Sequence, residues 1–536
     1  MIKKFINRES ASITSAAFII AIATLTSKFL GVLRDSIFAH RFPVSEMDIY
    51  YAAFRIPDFA YNIVVLGALS VGFIPIFARL IAEEKRKEAF KAANNILNIL
   101  FVLLSFLTLF AIVLTPQLID LITPGFDPEK KQMTVELTRI MFLSPIFLLL
   151  SSIMSGILQS YKRFLVYSLS TVVYNLGIII GAEIFVPGLG FQGLAWGVVF
   201  GAFLQFLVQL PSVRMLGFQY SLFIDTKAEE VRTIIKLTVP RLCTIILTQI
   251  NFLVITIMAS TLAAGSLTIF NYANNLQSLP LSIFAVSFAI ACFPTLAALG
   301  DNEHRDKFTD VLLSTTKQIL YLVIPFSIFL IIFRAQIVRV ILGHGVYFGW
   351  EQTISTIDAL EIFCVSLFAQ SLIPLFSRAF WAMHDSKTPF YASLFNVLVN
   401  ICLAVVLAPA YGLNGLVAAY SISNILWALM LFVLLDSRYL SDVSKLFYLS
   451  LVQASFSAII AGVVGYKALY AVEPYLDTHT FAGIFAQGAL SGLSMIIVYF
   501  SLSWVFRIEE FRKIRKAFSR RLSKTRFKAT ELIAEE

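Results

Sequence analysis

Apolar runs long enough to cross a bilayer recur along almost the whole chain, and this feature removes most folds from consideration. About 20 mostly apolar residues span a hydrocarbon core. A segment in lipid must also satisfy each of its backbone N–H and C=O groups internally, which leaves helices or closed barrels. The runs here are too long for barrel strands. Composition agrees, since 58% of the 536 residues are hydrophobic and only 14% are charged, against roughly 25% charged in soluble chains. The sequence predicts an all-α polytopic membrane protein.

Fourteen spans are expected, at approximately 13–39, 48–81, 90–115, 134–160, 165–187, 191–212, 231–262, 267–298, 309–334, 354–383, 388–409, 412–435, 447–471 and 482–505. The N-terminal MIKKFINRES precedes an apolar run that holds Lys28, Arg34 and Asp35 and has no small-residue cleavage site. It is read as a retained first span, not a signal peptide. Cys243, Cys292, Cys364 and Cys402 lie in apolar segments without metal or disulfide spacing, so they read as small buried hydrophobes.

An even number of spans puts both termini on one side. Lys3, Lys4, Arg8, Lys85, Arg86, Lys87, Lys91, Lys162, Arg163, Arg214, Lys227, Arg232, Lys236, Arg305, Lys307, Arg438 and Lys445 all fall on that side, while the opposite loops contribute Arg41, Lys130 and Lys131. The excess of positive charge makes the terminal side cytoplasmic. The tail after residue 506 is strongly basic, with Phe506, Ile508, Phe511, Ile514 and Phe518 at mostly helical spacing. Such a tail suits the anionic inner leaflet, and nucleic acid is the weaker explanation for the net charge of +9.

The two halves resemble each other. GFQGLAWG (190–197) matches GLNGLVAA (412–419), VVYNLGIII (172–180) matches VLVNICLAV (397–405) so that Asn175 pairs with Asn400, and FIPIFARL (73–80) matches CFPTLAAL (292–299) so that Pro75 pairs with Pro294. The six-helix unit has an even number of crossings, so both halves keep one orientation, as in parallel-repeat transporters with a path between the halves. The expected organisation is an N-terminal lobe at 1–215, a C-terminal lobe at 216–440, two further spans at 441–506 and a basic cytoplasmic tail at 507–536.

Several ordered motifs carry a family resemblance: SKFLGVLRDSIFAHRF, DIYYAAFRIPDF, GALSVGFIP, TPGF, TRIMF, GILQSYKRF, GVVFGAFLQFLVQLP, RAFWAMHDSKTP and NVLVN. Together they resemble the MurJ (MviN) family of lipid II flippases, within the MOP transporter superfamily, over about residues 10–435. The resemblance implies an integral plasma-membrane flippase. It would move a polyprenyl pyrophosphate carrying a disaccharide-pentapeptide from the inner to the outer leaflet, by alternating access of two six-helix lobes. Two added helices would form a groove for the lipid tail. It implies roles in peptidoglycan and cell-wall biogenesis and in cell shape, with lipids and other cell-wall synthesis proteins as partners.

Charge inside a span is costly, roughly 2.5–3.5 kcal/mol per group at a helix centre. The first two spans nevertheless hold Lys28, Arg34, Asp35, Asp48, Arg55 and Asp58. Lys28 and Asp35 are seven apart and share a face, as do Arg34 and Arg41. Asp48, Arg55 and Asn62 repeat every seven along one side. An ion-pair network locking span 1 to span 2 is one reading. A cavity whose surplus of cations attracts a pyrophosphate is the other. On span 8, Asn271, Asn274, Asn275 and Ser278 fall at i, i+3, i+4 and i+7 within one arc. They line either a hydrated path or an amide zipper between packed helices. Gln277 lies beside the stripe and Tyr272 points away from it.

The chain departs from the family pattern. The span-8 motif resembles A-D-R-L, with Asn275 in the arginine position. In span 2 the pattern of P-N followed by two arginines becomes Pro57, Asp58, Tyr61 and Asn62, and a nearby acidic position reads Leu66. The span-1 arginine position holds Lys28, while Arg34 and Asp35 match. Lys28, Arg34, Arg55 and Arg241 are expected to replace the missing clamp, with Arg241 ~12 Å inside its helix. Asn396 and Asn400 are weak candidates for a coupling cation, and no other metal site is expected. Pro57, Pro75, Pro240, Pro280 and Pro294 interrupt backbone bonding, for kinks that either move or stay fixed. Arg378 and Asp385 share a face, with anchoring favoured over gating.

Competing functions are a flippase for another lipid-linked oligosaccharide or a small-molecule antiporter, an integral-membrane glycosyltransferase, and a scaffold. Short outer loops without paired acids disfavour an enzyme, and a polar stripe inside a helix disfavours a scaffold. No phosphate-cradling glycine loop is present, so no cofactor is expected and transport must draw on the membrane potential or an ion gradient. An antiporter wants a buried acid, for which Glu361 is the main candidate in the second half.

Overall fold

A computed structural model describes residues 13–66, 73–300, 304–343, 345–440, 445–513 and 515, with the side chains of 13–21, 66, 230, 234–241, 243 and 445–446 outside the described set. The described residues form helices and connectors, with no strand. In chain order the helices are α1 (Ile13–Arg41), α2 (Val44–Tyr61), α3 (Ile74–Ala82), α4 (Arg86–Val113), α5 (Thr115–Ile122), α6 (Pro128–Met141), α7 (Ser144–Ser160), α8 (Phe164–Ile180), α9 (Val186–Leu189), α10 (Gln192–Met215), α11 (Glu229–Ser260), α12 (Ser266–Pro280), α13 (Ser287–Ala298), α14 (Arg305–Ile332), α15 (Arg334–Ile341), α16 (Trp350–Ala382), α17 (Lys387–Tyr439), α18 (Lys445–Val472) and α19 (Phe481–Val505).

Ten helical stretches among the described residues are long and apolar enough to cross a membrane. The spans expected at 388–409 and 412–435 run together as α17, which breaks at Gly412 (φ 59°, ψ −137°). The first two expected spans carry charged groups or extend into residues outside the described set.

The chain divides into two compact units. One comprises Met1–Leu276, Ile341–Ala359 and Pro389–Ser423, and the other Gln277–Val340, Leu360–Thr388 and Asn424–Glu536. These units are drawn by contacts and the six-helix halves by sequence similarity, and the two divisions cut the chain at different places.

In the first unit, α3, α4 and α7 bury Phe73, Phe77, Ile96, Leu97, Ile153 and Ile157 in one apolar core. Helices α8 and α10 meet through glycine. A Cβ on Gly177 would lie 2.2 Å from the Gly201 Cα, and one on Gly181 would lie 2.4 Å from the Gly197 Cα. Small residues at four-residue spacing let backbones approach where lipid gives no hydrophobic drive for association.

The sequence repeat has backbone and side-chain counterparts in this unit. Gly190 and Gly412 both adopt positive φ, at 61° and 59°. Three residues after each, a Cβ on Gly193 would strike Phe185 and Val186, and one on Gly415 would strike Leu407 and Ala408. Asn175 donates to the Ser27 Oγ at 3.1 Å, and its repeat partner Asn400 donates to the Asn251 Oδ1. In each half, the same asparagine ties its helix to an earlier helix of that half, α1 for Asn175 and α11 for Asn400.

The second unit packs Tyr321 and Phe333 of the α14 region against Ala454, Ala458 and Ala461 of α18 and Met495 and Tyr499 of α19. The Tyr499 hydroxyl donates to the Tyr321 carbonyl at 2.7 Å. Asp385 accepts from the backbone N–H of Lys387 and Thr388 and from the Thr388 hydroxyl, so it anchors the start of α17. Arg378 donates to the Pro374 carbonyl of its own helix. Cys292 and Cys364 are buried, whereas Cys402 is exposed, contrary to its sequence reading.

Candidate functional site

The first unit contains a cavity of about 260 Å³ lined by Arg34, Tyr50, Tyr51, Phe54, Arg55, Asp58, Gln249, Phe252, Asn271, Asn274 and Asn275. It brings together Arg34, Arg55 and three asparagines singled out in sequence. Ser278 falls in the second unit and is not on this wall. The Arg241 side chain lies outside the described residues.

The two arginines are used differently. Arg34 folds back on its neighbour, with Nε 3.1 Å and Nη2 2.8 Å from the Asp35 Oδ1. Asn275 donates to the other oxygen of the same carboxylate at 2.8 Å. Asp35 is buried and both of its oxygens are engaged. Arg55 donates through Nε to the Thr256 hydroxyl at 3.0 Å and lies 5.3 Å over the Phe252 ring. Its two terminal nitrogens donate to no acceptor among the described residues, so the end of its guanidinium is available to the cavity.

The remaining acids are spent elsewhere. Asp48 is 2% exposed and accepts from the Gly265 N–H at 2.6 Å, the Thr268 N–H at 2.9 Å and the Thr268 hydroxyl at 2.7 Å. It closes the N-terminal turn of α12. Neither Asp35 nor Asp48 bridges α1 to α2, so these two acids do not form the locking network considered from sequence. Arg41 pairs with Glu183. With Asp48 and Arg41 both committed, the remaining charges of α1 and α2 singled out in the sequence are Lys28, which is not among the cavity-lining residues, Arg34 and Arg55 against Asp35 and Asp58. The surplus of one positive charge survives, although its members change.

The stripe on α12 splits among partners. Asn271 donates to its own Leu267 carbonyl at 2.7 Å, Asn275 binds Asp35, and Asn274 lines the cavity. Gln277 forms a reciprocal amide pair with Gln370 at 3.4 and 3.2 Å, so the zipper expected of the stripe is made by the residue beside it. At the positions where the family pattern has arginines, the Tyr61 hydroxyl meets the Ser152 hydroxyl at 3.0 Å and Asn62 donates to the Asp58 carbonyl. Tyr51 and Tyr272 pack edge to face at 6.0 Å, with both hydroxyls buried and without hydrogen-bond partners. Asn396 and Asn400 each present a buried amide oxygen without a partner, and no cluster of three or more His, Cys, Asp or Glu able to hold a metal exists among the described residues.

The described residues, helical throughout apart from their connectors and with ten membrane-length stretches, define the class as a multi-pass membrane protein, and its charged, hydrogen-bonding cavity is of the kind a transporter needs. The family model described as lipid II flippase MurJ matches residues 42–487. The chain belongs to that family. It is 28% identical over 521 residues to a probable lipid II flippase MurJ of Bdellovibrio bacteriovorus, covering 96% of this chain and 98% of the relative. A solved lipid II flippase MurJ in an inward closed conformation superposes with a TM-score of 0.76 at 25% identity, covering 91% of this chain and 98% of that one. An inward-facing multidrug resistance MATE family transporter of the MOP superfamily shares the fold, with a TM-score of 0.64 at 17% identity over 77% of this chain and 94% of its own length.

Proposed function

We propose that this chain carries lipid II from the inner to the outer leaflet of the plasma membrane, as a transporter and not as an enzyme. Beyond family membership, the observation that carries the reading is the unengaged end of Arg55 on the cavity wall. Charge-assisted bonds from guanidinium to phosphate are strong and frequently bidentate. The asparagines beside Arg55 can hydrogen-bond sugar hydroxyls or peptide amides. At about 260 Å³ the cavity is smaller than the roughly 300–1,000 Å³ of drug-sized ligand sites. It suits the pyrophosphate, and the sugar–peptide part needs a wider state. Lys28, Arg34 and Arg241 complete the cationic environment in this reading.

Both termini are assigned to the cytoplasm on the charge pattern. The outer side then carries Arg41, Lys130 and Lys131, of which Arg41 pairs with Glu183 and Lys131 with Asp120. Energy is assigned to the membrane potential or an ion gradient, with the Asn396 and Asn400 amide oxygens as the candidate cation ligands and no cofactor. Other cell-wall synthesis proteins are the proposed protein partners. A small-molecule antiporter is disfavoured because Glu361 pairs with Arg334 at 2.9 Å and is 42% exposed, so it is not a free buried acid.

The test is complementation of a strain depleted of its lipid II flippase, joined to flipping of labelled lipid II in vesicles. The wild-type chain is expected to restore growth. Arg55→Ala should abolish flipping at normal membrane levels, and Arg55→Lys should retain part of it. Failure of the wild-type chain with confirmed membrane expression would favour another lipid-linked substrate. Full activity of Arg241→Ala would remove that residue from the site.

A further inference from the structure

The connector between the two sequence halves is not a free linker. After α10 the chain turns at Gly217 (φ 84°), and residues 218–225, outside any helix, run along α4. Three asparagines of α4, all 3% exposed, hold it. Asn94 donates to the Gln219 carbonyl at 2.9 Å and accepts from the Ser221 N–H at 3.1 Å. Asn98 donates to the Ser221 and Phe223 carbonyls at 2.9 and 3.0 Å. Asn95 donates to the Asp225 carbonyl at 2.8 Å and accepts from its N–H at 2.7 Å. The connector therefore climbs one helical turn, from Asn94 to Asn98, and returns to Asn95.

The grip uses the connector's backbone groups, which leaves side chains free to face outward. Tyr220, Leu222 and Ile224 are 61%, 84% and 51% exposed, three apolar side chains at two-residue spacing. The tip, Leu222, sits at the level of Asn98, three residues before Phe101. Exposed apolar side chains on α4 begin at Phe101 and continue through Val102, Leu103 and Phe106 to Val113. At about 1.5 Å per residue, the tip lies ~5 Å from the start of that band. Exposed Arg214, Lys227 and Lys91 flank the segment, and Lys91 covers the Phe223 ring at 4.7 Å. Asp225 is the segment's own carboxylate.

We propose that this connector is an interfacial membrane anchor. Tyr220, Leu222 and Ile224 insert at the boundary of head groups and acyl chains in the leaflet on the basic-loop side, and the flanking cations pair with anionic head groups. An apolar row at interfacial depth with a basic rim is the chemistry that binds such a surface. The Tyr220 hydroxyl, bonded to the Asn98 Oδ1 at 2.9 Å, keeps its polar tip satisfied there. The two halves of the transporter are thus joined through a segment fixed both to α4 and to lipid.

The wild-type chain is reconstituted in phosphatidylethanolamine–phosphatidylglycerol vesicles carrying a photoreactive diazirine near the acyl carbonyl, and adducts are mapped by mass spectrometry. Adducts are expected on Tyr220, Leu222 and Ile224, several-fold above Arg305–Lys307 at the start of α14. Hydroxyl-radical oxidation of Tyr220 and Leu222 should be correspondingly suppressed in vesicles. Leu222→Asp should remove the adducts at its neighbours. Adducts no higher than at Arg305–Lys307, or oxidation of Leu222 at the rate of a water-exposed side chain, would overturn the proposal. So would protection that appears without lipid adducts, which would mark a protein partner.

Discussion

Asp48 caps a helix that it does not belong to. From α2 its carboxylate takes the Gly265 and Thr268 N–H groups and the Thr268 hydroxyl at the start of α12. The first N–H groups of a helix have no intrahelical acceptor, and a carboxylate also complements the positive end of the helix dipole. Replacing a capping side chain by alanine costs about 0.5–2 kcal/mol. Leaving the buried N–H groups unmet adds about 1–3 kcal/mol. Asp48→Ala is expected to lower the melting temperature by several degrees in detergent, and Asp48→Asn, which keeps one acceptor oxygen, by less. Equal melting temperatures for all three proteins would show that the contact is not stabilising.

The glycine seam of α8 and α10 gives a second prediction with its own control. A Cβ on Gly197 would lie 2.6 Å from the Gly181 Cα, a backbone atom that cannot swing aside, whereas one on Gly31 meets nothing within 4 Å. Overpacking typically costs about 1–3 kcal/mol. Gly197→Leu should reduce folded yield and melting temperature, while Gly31→Ala leaves both near wild type. Size-exclusion profiles of the two variants after purification read the difference directly.

Periodicity made the membrane class, the repeat and the polar face of α12 legible in sequence, because each is a statement about spacing along one helix. Partners across the fold were not legible. Asn275 finds Asp35 from 240 positions away, and no spacing rule connects them. Arg34 and Asp35 are adjacent, and adjacent residues on a helix do not face each other. Helical spacing therefore puts them on neighbouring faces, yet the long arginine side chain bends back onto the carboxylate. Arg55 thereby became the available cation. The heptad of Asp48, Arg55 and Asn62 predicted one stripe, but its members serve a helix N-terminus, a cavity and a local carbonyl. The role of the α4 asparagines is not legible in sequence, because their partner is a connector with no sequence signature of its own.

Asp385 supplies the pH-dependent prediction. It lies outside the spans, between α16 and α17. Partial burial pulls its carboxyl up, but bonds from the Thr388 hydroxyl, the Thr388 and Lys387 N–H groups and the Tyr439 hydroxyl outweigh that and hold it below the usual carboxylate range. A group with a depressed folded value contributes stability that is present above its unfolded value, about 3.9 for aspartate, and is lost as pH falls through the folded value. Asp385→Asn should therefore melt lower than wild type at pH 7, and the gap should close below about pH 4. A gap that stays constant over that range would assign the effect to packing.

The last prediction concerns the point where the chain leaves α19. Arg507 adopts positive φ at 54°, and the Ile508 N–H returns to the Ser503 carbonyl at 3.0 Å, so the chain turns sharply. Glu510 is then 1% exposed and accepts from the Ser450 hydroxyl at 2.8 Å. Its other oxygen lies 3.6 Å from the Lys317 Nζ, an ion-pair distance and not a hydrogen bond. Lys317 is shared with Glu509 at 3.3 Å, and Glu509 also holds Lys513 at 2.8 Å. Removing one partner of a buried pair costs more than removing both, because the survivor is left uncompensated. Lys317 keeps Glu509 when Glu510 is lost, so Glu510→Leu should cost only about 1–3 kcal/mol. Lys317→Leu strands the buried Glu510 and should cost more. The double variant is then expected to be less damaged than the sum of the two, with faster tryptic cleavage at Arg512 and Lys513 in the single variants as the local readout. Strict additivity of the melting-temperature shifts would mean that Lys317 and Glu510 do not act as a pair.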